Sequence, residues 1–225
     1  ALASDGEVTH LGWYSQGEGL VLVDLEESVV SPQVVVPGSA YLAPNQRVAL
    51  AVRGGQPWTA FPSAAKRIRV WTPQTTSPVE VATSEPVVAV DLAVAGPRLW
   101  LAYATTQQVC VQRSAANAVV FGAPTCRPAA ASAVTLAAGE YADVVATVAP
   151  KALHARLFPS VSVRTRPRAG TVVVRDAGRP LAKARVSVGT QKARTDAKGR
   201  ARLRPWPKKQ TVQVNAAGYE RWSSR

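Results

Sequence analysis

Apolar and polar residues alternate along this chain in short runs such as "RVALAV", "RIRVW", "RLWLAY", "QVCVQ", "ARVSV" and "TVQVN", each bounded by Gly, Pro, Asn or Ser. A period of two with frequent turn residues predicts β-strands that bury one face. Hardly any stretch carries the 3.6-residue period of an amphipathic helix; the nearest is the Ala-rich segment 128–140. The expected fold class is therefore all-β. The longest apolar runs, such as Val34–Val36 and Val172–Val174, fall far short of a membrane-spanning helix.

Within residues 1–167 two landmarks recur. One is a strand, a polar turn and a more apolar strand: "HLGWYSQGEGLVLVDL", "YLAPNQRVALAV", "DLAVAGPRLWLAYA" and "TLAAGEYADVVATVA". The other is a short strand ending at proline, at Pro37, Pro73, Pro124 and Pro167, which marks units of 37, 36, 51 and 43 residues. Periods near 40 with three or four strands resemble β-propeller blades in architecture, although no Trp-Asp or Gly-Gly signature recurs. The expectation is a propeller-like domain over 1–167, either a four-unit ring or part of a ring completed by another chain; a β-sandwich is the alternative.

Charge changes the picture at "TRPRAG". From Arg168 onward there are fifteen Lys and Arg against Asp176, Asp196 and Glu220, a net charge of +12 out of the whole chain's +13. Such a step predicts a domain boundary near Pro167, with a second domain over 168–225. In "KARVSV" and "RARLR", Lys183 and Arg185, and then Arg200, Arg202 and Arg204, alternate with apolar residues, and Lys192 and Arg194 repeat the pattern. If these strands are neighbours, one sheet has an apolar inner face and an Arg-rich outer face. With Lys198, Lys208 and Lys209, these residues form the candidate binding surface. Like charges on adjacent strands repel, and a face needing only solubility would mix signs.

The last 58 residues resemble the carboxypeptidase regulatory-like, transthyretin-like family of small β-sandwiches, and similar patterns occur in bacterial immunoglobulin-like and PEGA-type modules. The residues that carry the resemblance are Gly170 opening a strand, "DAGRPLAKARV" around Gly178 and Pro180, the turn "TDAKGRARL", and "NAAGY". Asp196 suits a turn that needs a hydrogen-bond acceptor, Gly199 one that needs a positive φ, and Gly218 the last bend. The resemblance implies a non-catalytic module that acts as a spacer, a folding aid or an adhesion surface. Only "ERWSSR" follows the Gly-Tyr pair, so the expected final strand is short. Either the parent chain continues, or an open edge awaits a partner strand.

Chemistry is sparse. Cys110 and Cys126 lie sixteen residues apart without a CxxC motif or a nearby histidine, which argues against a metal site; they form a disulfide in an oxidising compartment, or are two buried free thiols. Methionine is absent and the chain opens Ala-Leu-Ala-Ser, like the small-residue end of a secretory cleavage site, so an exported, extracytoplasmic chain is expected unless it simply starts there. His10 and His154 sit in no nucleophile motif, and Glu26 with Glu27 and Glu140 with Asp143 are the close carboxylate pairs. Trp58, Trp71 and Trp100 are expected in the core, and Trp206 at a rigid Pro-Trp-Pro corner against its own sheet. No cofactor is implied. These features point to a non-catalytic structural or binding component of an exported bacterial envelope or surface assembly, whose basic module docks on an acidic partner, an anionic polymer or lipid headgroups. A nucleic-acid or polysaccharide binder is the alternative, although no recognition helix or aromatic-studded motif is present; an accessory domain of a secreted hydrolase ranks below it.

Overall fold

The alternating runs form strands throughout the computed structural model, and the chain is all-β: among the described residues the one helical turn is a 3₁₀ turn at Pro167–Ala169. The structure describes every residue except 41, 43–46, 64, 65, 117, 140, 207–209 and 225, so the candidates Lys208 and Lys209, and Glu140, lie outside the described residues. Two compact units divide the chain. The first comprises Ala1–Arg113 and Ala123–Arg156, the second Ser114–Gly122 and Leu157–Arg225.

In the first unit four antiparallel sheets follow one another. The first contains β1 (Leu2–Ser4), β2 (Val8–Ser15) and β3 (Gly19–Glu26), with β4 (Val29–Val30) and β5 (Val34–Val35) both pairing β3. The second runs β6 (Ala49–Arg53), β7 (Gln56–Ser63), β8 (Arg67–Trp71) and β9 (Val79–Ala82). The third runs β10 (Val87–Ala95), β11 (Arg98–Thr105), β12 (Gln108–Ala115) and β14 (Thr125–Pro128); the last residues of β12, Ser114 and Ala115, pair β13 (Ala118–Phe121) within the second unit. The fourth has β15 (Ala133–Ala138), β16 (Ala142–Val148) and β17 (Lys151–Leu157). The first strands of these sheets pack in series, β1 against β6, β6 against β10 and β10 against β15. Leu20, Leu22, Leu50, Phe61 and Trp71 close a core from the first two sheets.

Asp91 ties β10 to β15. Its carboxylate accepts the backbone N–H of Leu136 at 2.7 Å and that of Leu92 at 2.9 Å. Burial pushes its pKa above the usual value, against the pull of those two hydrogen bonds. Cys110 and Cys126 face each other in the β12–β14 register, with Cα atoms 4.1 Å apart, and are joined by a disulfide. Trp71 and Trp100 are buried as expected. Trp58 is not: it is half-buried, with the Arg53 guanidinium 6.0 Å from its ring.

The repeat landmarks map onto hairpins in three places, β2–β3, β10–β11 and β15–β16. In the second sheet the hairpin comes later, as β6–β7. The proline landmarks do not bound the sheets. β9 lies beyond Pro73, and the strand leading to Pro167 pairs with the C-terminal unit. The C-terminal stretch of that unit therefore begins at Leu157, ahead of the charge step at Pro167, because backbone pairing sets its limit.

The second unit has two four-stranded sheets. One joins β18 (Ser162–Arg166), β19 (Thr171–Asp176), β20 (Arg179–Pro180) and β23 (Arg200–Arg202), with β19 at its centre. The other runs β22 (Gln191–Arg194), β21 (Arg185–Val188), β24 (Val212–Asn215) and β25 (Trp222–Ser223). Val172, Val174 and Ala201 from the first meet Val186, Val188, Val212 and Val214 from the second in one core, and Trp206, Tyr219 and Trp222 pack against it. Within this unit the buried Asp176 carboxylate accepts the Ala116 N–H at 2.9 Å, which fixes the Ser114–Gly122 segment to β19.

Candidate anion-binding surface

The alternation read from the sequence does place cations outward and apolar residues inward, but on two sheets. Arg185, Lys192 and Arg194 lie on the β22–β21–β24–β25 sheet, with Lys183 just ahead of β21. Arg200 and Arg202 lie on the other sheet, because β23 pairs with β19 and not with β22. The single Arg-rich sheet expected from the sequence is thus corrected to two separate basic faces. Lys198 sits in the connecting turn, and Arg204 falls beyond β23, where its guanidinium donates to the Ala169 carbonyl at 3.4 Å. All eight described candidates are exposed.

The turn between the two groups is built as its residue types require. Asp196 accepts the N–H groups of Lys198 at 2.9 Å and Arg200 at 2.8 Å. The Arg200 N–H, helped by that of Lys198 and by both cationic side chains, holds the Asp196 carboxyl below the usual carboxylate range. Gly199 takes φ +70°, and Val174 N–H donates to its carbonyl at 2.8 Å.

The β21 face is a shallow concavity of about 710 Å³ lined by Arg185, Ser187, Lys192, Arg194, Gln213, Asn215 and Arg221. It continues into a smaller hollow of about 320 Å³ that adds Lys183 and shares Arg185, Arg194 and Asn215. Strand register explains the convergence. Arg194, Arg185 and Asn215 form one rung across three strands, and Lys192, Ser187 and Gln213 form the next. Thr195 locks the rim: its hydroxyl accepts the Ala184 N–H at 2.9 Å and donates to the Leu181 carbonyl at 2.6 Å. Its backbone carbonyl accepts the Lys183 N–H at 2.8 Å, holding Lys183 at φ +62°. A non-glycine residue in that left-handed region costs about 1–2 kcal/mol, so its backbone is held there by its neighbours.

Arg221 donates to the Gln213 side-chain oxygen across the face. Neither it nor the Gln213 and Asn215 amides belonged to the sequence-derived set; "ERW" has no alternation to flag it, and only the β24–β25 pairing brings it here. No carboxylate and no aromatic ring lines either hollow among the described residues. The surface offers guanidinium forks, an ammonium group and neutral donors to an anion, with Arg185 and Arg194 directly opposed in like-charge contact.

The described histidines and paired carboxylates of the sequence are dispersed over the first unit. The buried His10 pairs through Nδ1 with Asp24 at 2.6 Å. His154 and Arg156 both reach Asp143 at 3.0 Å, and the Arg156 hydrogen bond leads in lowering the pKa of that carboxyl. Glu26 ends β3 and Glu27 takes φ +51° in the following turn. Among the described residues no three His, Cys, Asp or Glu side chains group as metal ligands, and no helix is long and apolar enough to cross a membrane.

No protein-family model matches the chain, and no curated protein matches it. Among solved structures, BBS1N in complex with ARL6DN aligns over 96% of this chain and 86% of its own length, at 10% identity and a TM-score of 0.42. BamB from Moraxella catarrhalis aligns over 89% and 83%, at 11% identity and a TM-score of 0.36. These values are too low to establish a shared fold.

Proposed function

We propose that this chain is a non-catalytic binding component whose C-terminal unit holds an acidic segment of a partner protein in the β21 concavity. The observation that carries this reading is the convergence of Lys183, Arg185, Lys192, Arg194 and Arg221 on one concavity, with no carboxylate among its described lining residues. A solvated face gains nothing from opposing Arg185 and Arg194 across adjacent strands, whereas a bound carboxylate relieves that repulsion and accepts both guanidinium groups. Nucleic-acid single strands are bound largely by stacking on exposed aromatic rings, and none is among the described residues lining the hollow, which favours an acidic polypeptide.

Two four-stranded sheets about a common core support reading the C-terminal unit as a transthyretin-like β-sandwich. Four consecutive sheets with serially packed first strands support reading the first unit as propeller-like. The Cys110–Cys126 disulfide supports placement in an oxidising, extracytoplasmic compartment, as part of an envelope or surface assembly.

Binding of the purified chain to immobilised poly-L-glutamate tests the reading. Exposed ion pairs are worth a fraction of a kcal/mol each, so replacing Arg185, Arg194 and Arg221 by Ser weakens retention about tenfold, and added salt does the same. Unchanged retention in the triple variant would overturn the assignment of this hollow.

A further inference from the structure

The opposite side of the same unit carries a second arrangement of cations. In the β18–β19–β23 sheet, Arg164, Val173 and Arg200 form one rung, and Arg166, Thr171 and Arg202 form the next. The intervening residues Val163, Val172 and Ala201 turn inward to the core, so the four arginines project from the outer face, and all four are exposed. They form two rails, Arg164 and Arg166 on β18 and Arg200 and Arg202 on β23, on either side of a strip formed by the half-buried Thr171 and by Val173, which is 9% exposed. Strand spacing puts the rails about 10 Å apart, and the pleat repeats each arginine about every 6.7 Å.

Among the described residues none of these four arginines is in a salt bridge, although the Asp196 carboxyl feels the charge of Arg200. Asp176 is buried on the inward side with its carboxylate on the Ala116 N–H, and the Asp196 carboxylate is engaged by the Lys198 and Arg200 backbone. Arg175, further along β19, is held by the Gly178 carbonyl at 2.6 Å and adds nothing to the rails.

We infer that this face is a second docking surface, for an extended acidic polypeptide segment laid along β19, and that the C-terminal unit therefore bridges two acidic segments. An extended strand sends alternate side chains to opposite sides with a repeat of about 6.7 Å, so consecutive Asp or Glu residues meet the two rails in turn. The strip is aliphatic and polar without an aromatic ring, which again gives bases nothing to stack on. Because the two sheets share one core, their outer faces point away from each other and neither occupant blocks the other. The inference extends the proposed use of the concavity, yet it rests on different residues and fails separately.

Titration calorimetry of the full chain with a short poly-L-glutamate peptide provides the test. The wild-type chain takes up two peptides. Replacing Arg164, Arg166, Arg200 and Arg202 together by Ser removes one, and the peptide that the Ser variant still binds excludes a general folding defect in it; Lys at all four positions retains both. The Arg185, Arg194 and Arg221 variant removes the other, and with long poly-L-glutamate only the wild-type chain cross-links polymer into particles seen by light scattering. Unchanged stoichiometry in the four-site Ser variant would overturn this inference alone. A wild-type chain that binds one peptide, lost with the four-site variant and kept in the concave-face variant, would uphold this surface and overturn the concavity. Preference for an oligonucleotide or for phosphatidylglycerol vesicles over the peptide at the rails would overturn the acidic-polypeptide assignment.

Discussion

Replacing Gly199 by Ala tests whether backbone approach, rather than turn propensity alone, sets β23 against β19. Gly199 sits at φ +70°, and a Cβ there would lie 2.4 Å from the Val174 carbonyl oxygen, 3.1 Å from the Leu181 nitrogen and 3.2 Å from Pro180 Cα. All three are backbone atoms and cannot rotate aside. Gly178 provides the control: its φ of +84° is as unfavourable for alanine, but a Cβ there meets nothing within 4 Å. The left-handed backbone costs alanine about 1–2 kcal/mol at either position. Overpacking adds about 1–3 kcal/mol at Gly199 only, which brings its total to about 2–5 kcal/mol. Hydrogen exchange of the β21 and β24 amides, on the sheet away from the substitution, reads the opening free energy of this unit by itself. Equal losses for the two alanine variants, within about 0.5 kcal/mol, would refute the close-approach argument. A selective loss at Gly199 should also weaken acidic-peptide binding at Arg200 and Arg202, since the Val174–Gly199 hydrogen bond anchors that strand.

Other outcomes follow from the same geometry. Removing the Cys110–Cys126 bridge by a double Ala substitution, across its sequence separation of 16, lowers the midpoint of urea unfolding by the equivalent of about 3 kcal/mol. Asp91→Ala strands the Leu136 N–H between β10 and β15 and costs about 1–3 kcal/mol by the same assay, less whatever relief comes from removing a partly buried charge. Carboxyl carbon shifts followed by NMR across acid pH should show Asp91 titrating above the usual Asp value and Asp196 below it. The consequences for stability are opposite in sign: Asp196 contributes above the ordinary carboxylate range and its contribution is lost as pH falls through its lowered pKa. Asp91 charges at a cost, so its contribution is present below the ordinary value and is lost as pH rises through its raised pKa.

Local chemistry was legible in the sequence where it depends on neighbours along the chain. The two-residue period marks the strands, and Asp196 and Gly199 announce their turn because an acceptor and a positive φ are needed within four residues of each other. The partners of a strand are not written locally. Nothing in "RARLR" distinguishes pairing with β19 from pairing with β22, so one basic sheet was expected where there are two. Arg164 and Arg166 escape the sequence pattern for a related reason. "SVRTR" shows the same outward alternation, but it precedes the charge step at Pro167, and net charge is a property of composition whereas the unit's limit is set by the β18–β19 hydrogen bonds.

The Ser114–Gly122 segment has a consequence for the order of synthesis. It belongs to the second unit, and the Asp176 carboxylate that receives the Ala116 N–H comes 60 residues later in the chain. At translation rates of about 5–20 residues per second, Ala116 waits about 3–12 s for that carboxylate, while Ala123–Arg156 of the first unit is being made. The last segment of the first unit, Ala123–Arg156, is therefore complete before the partner of the Ser114–Gly122 segment is made.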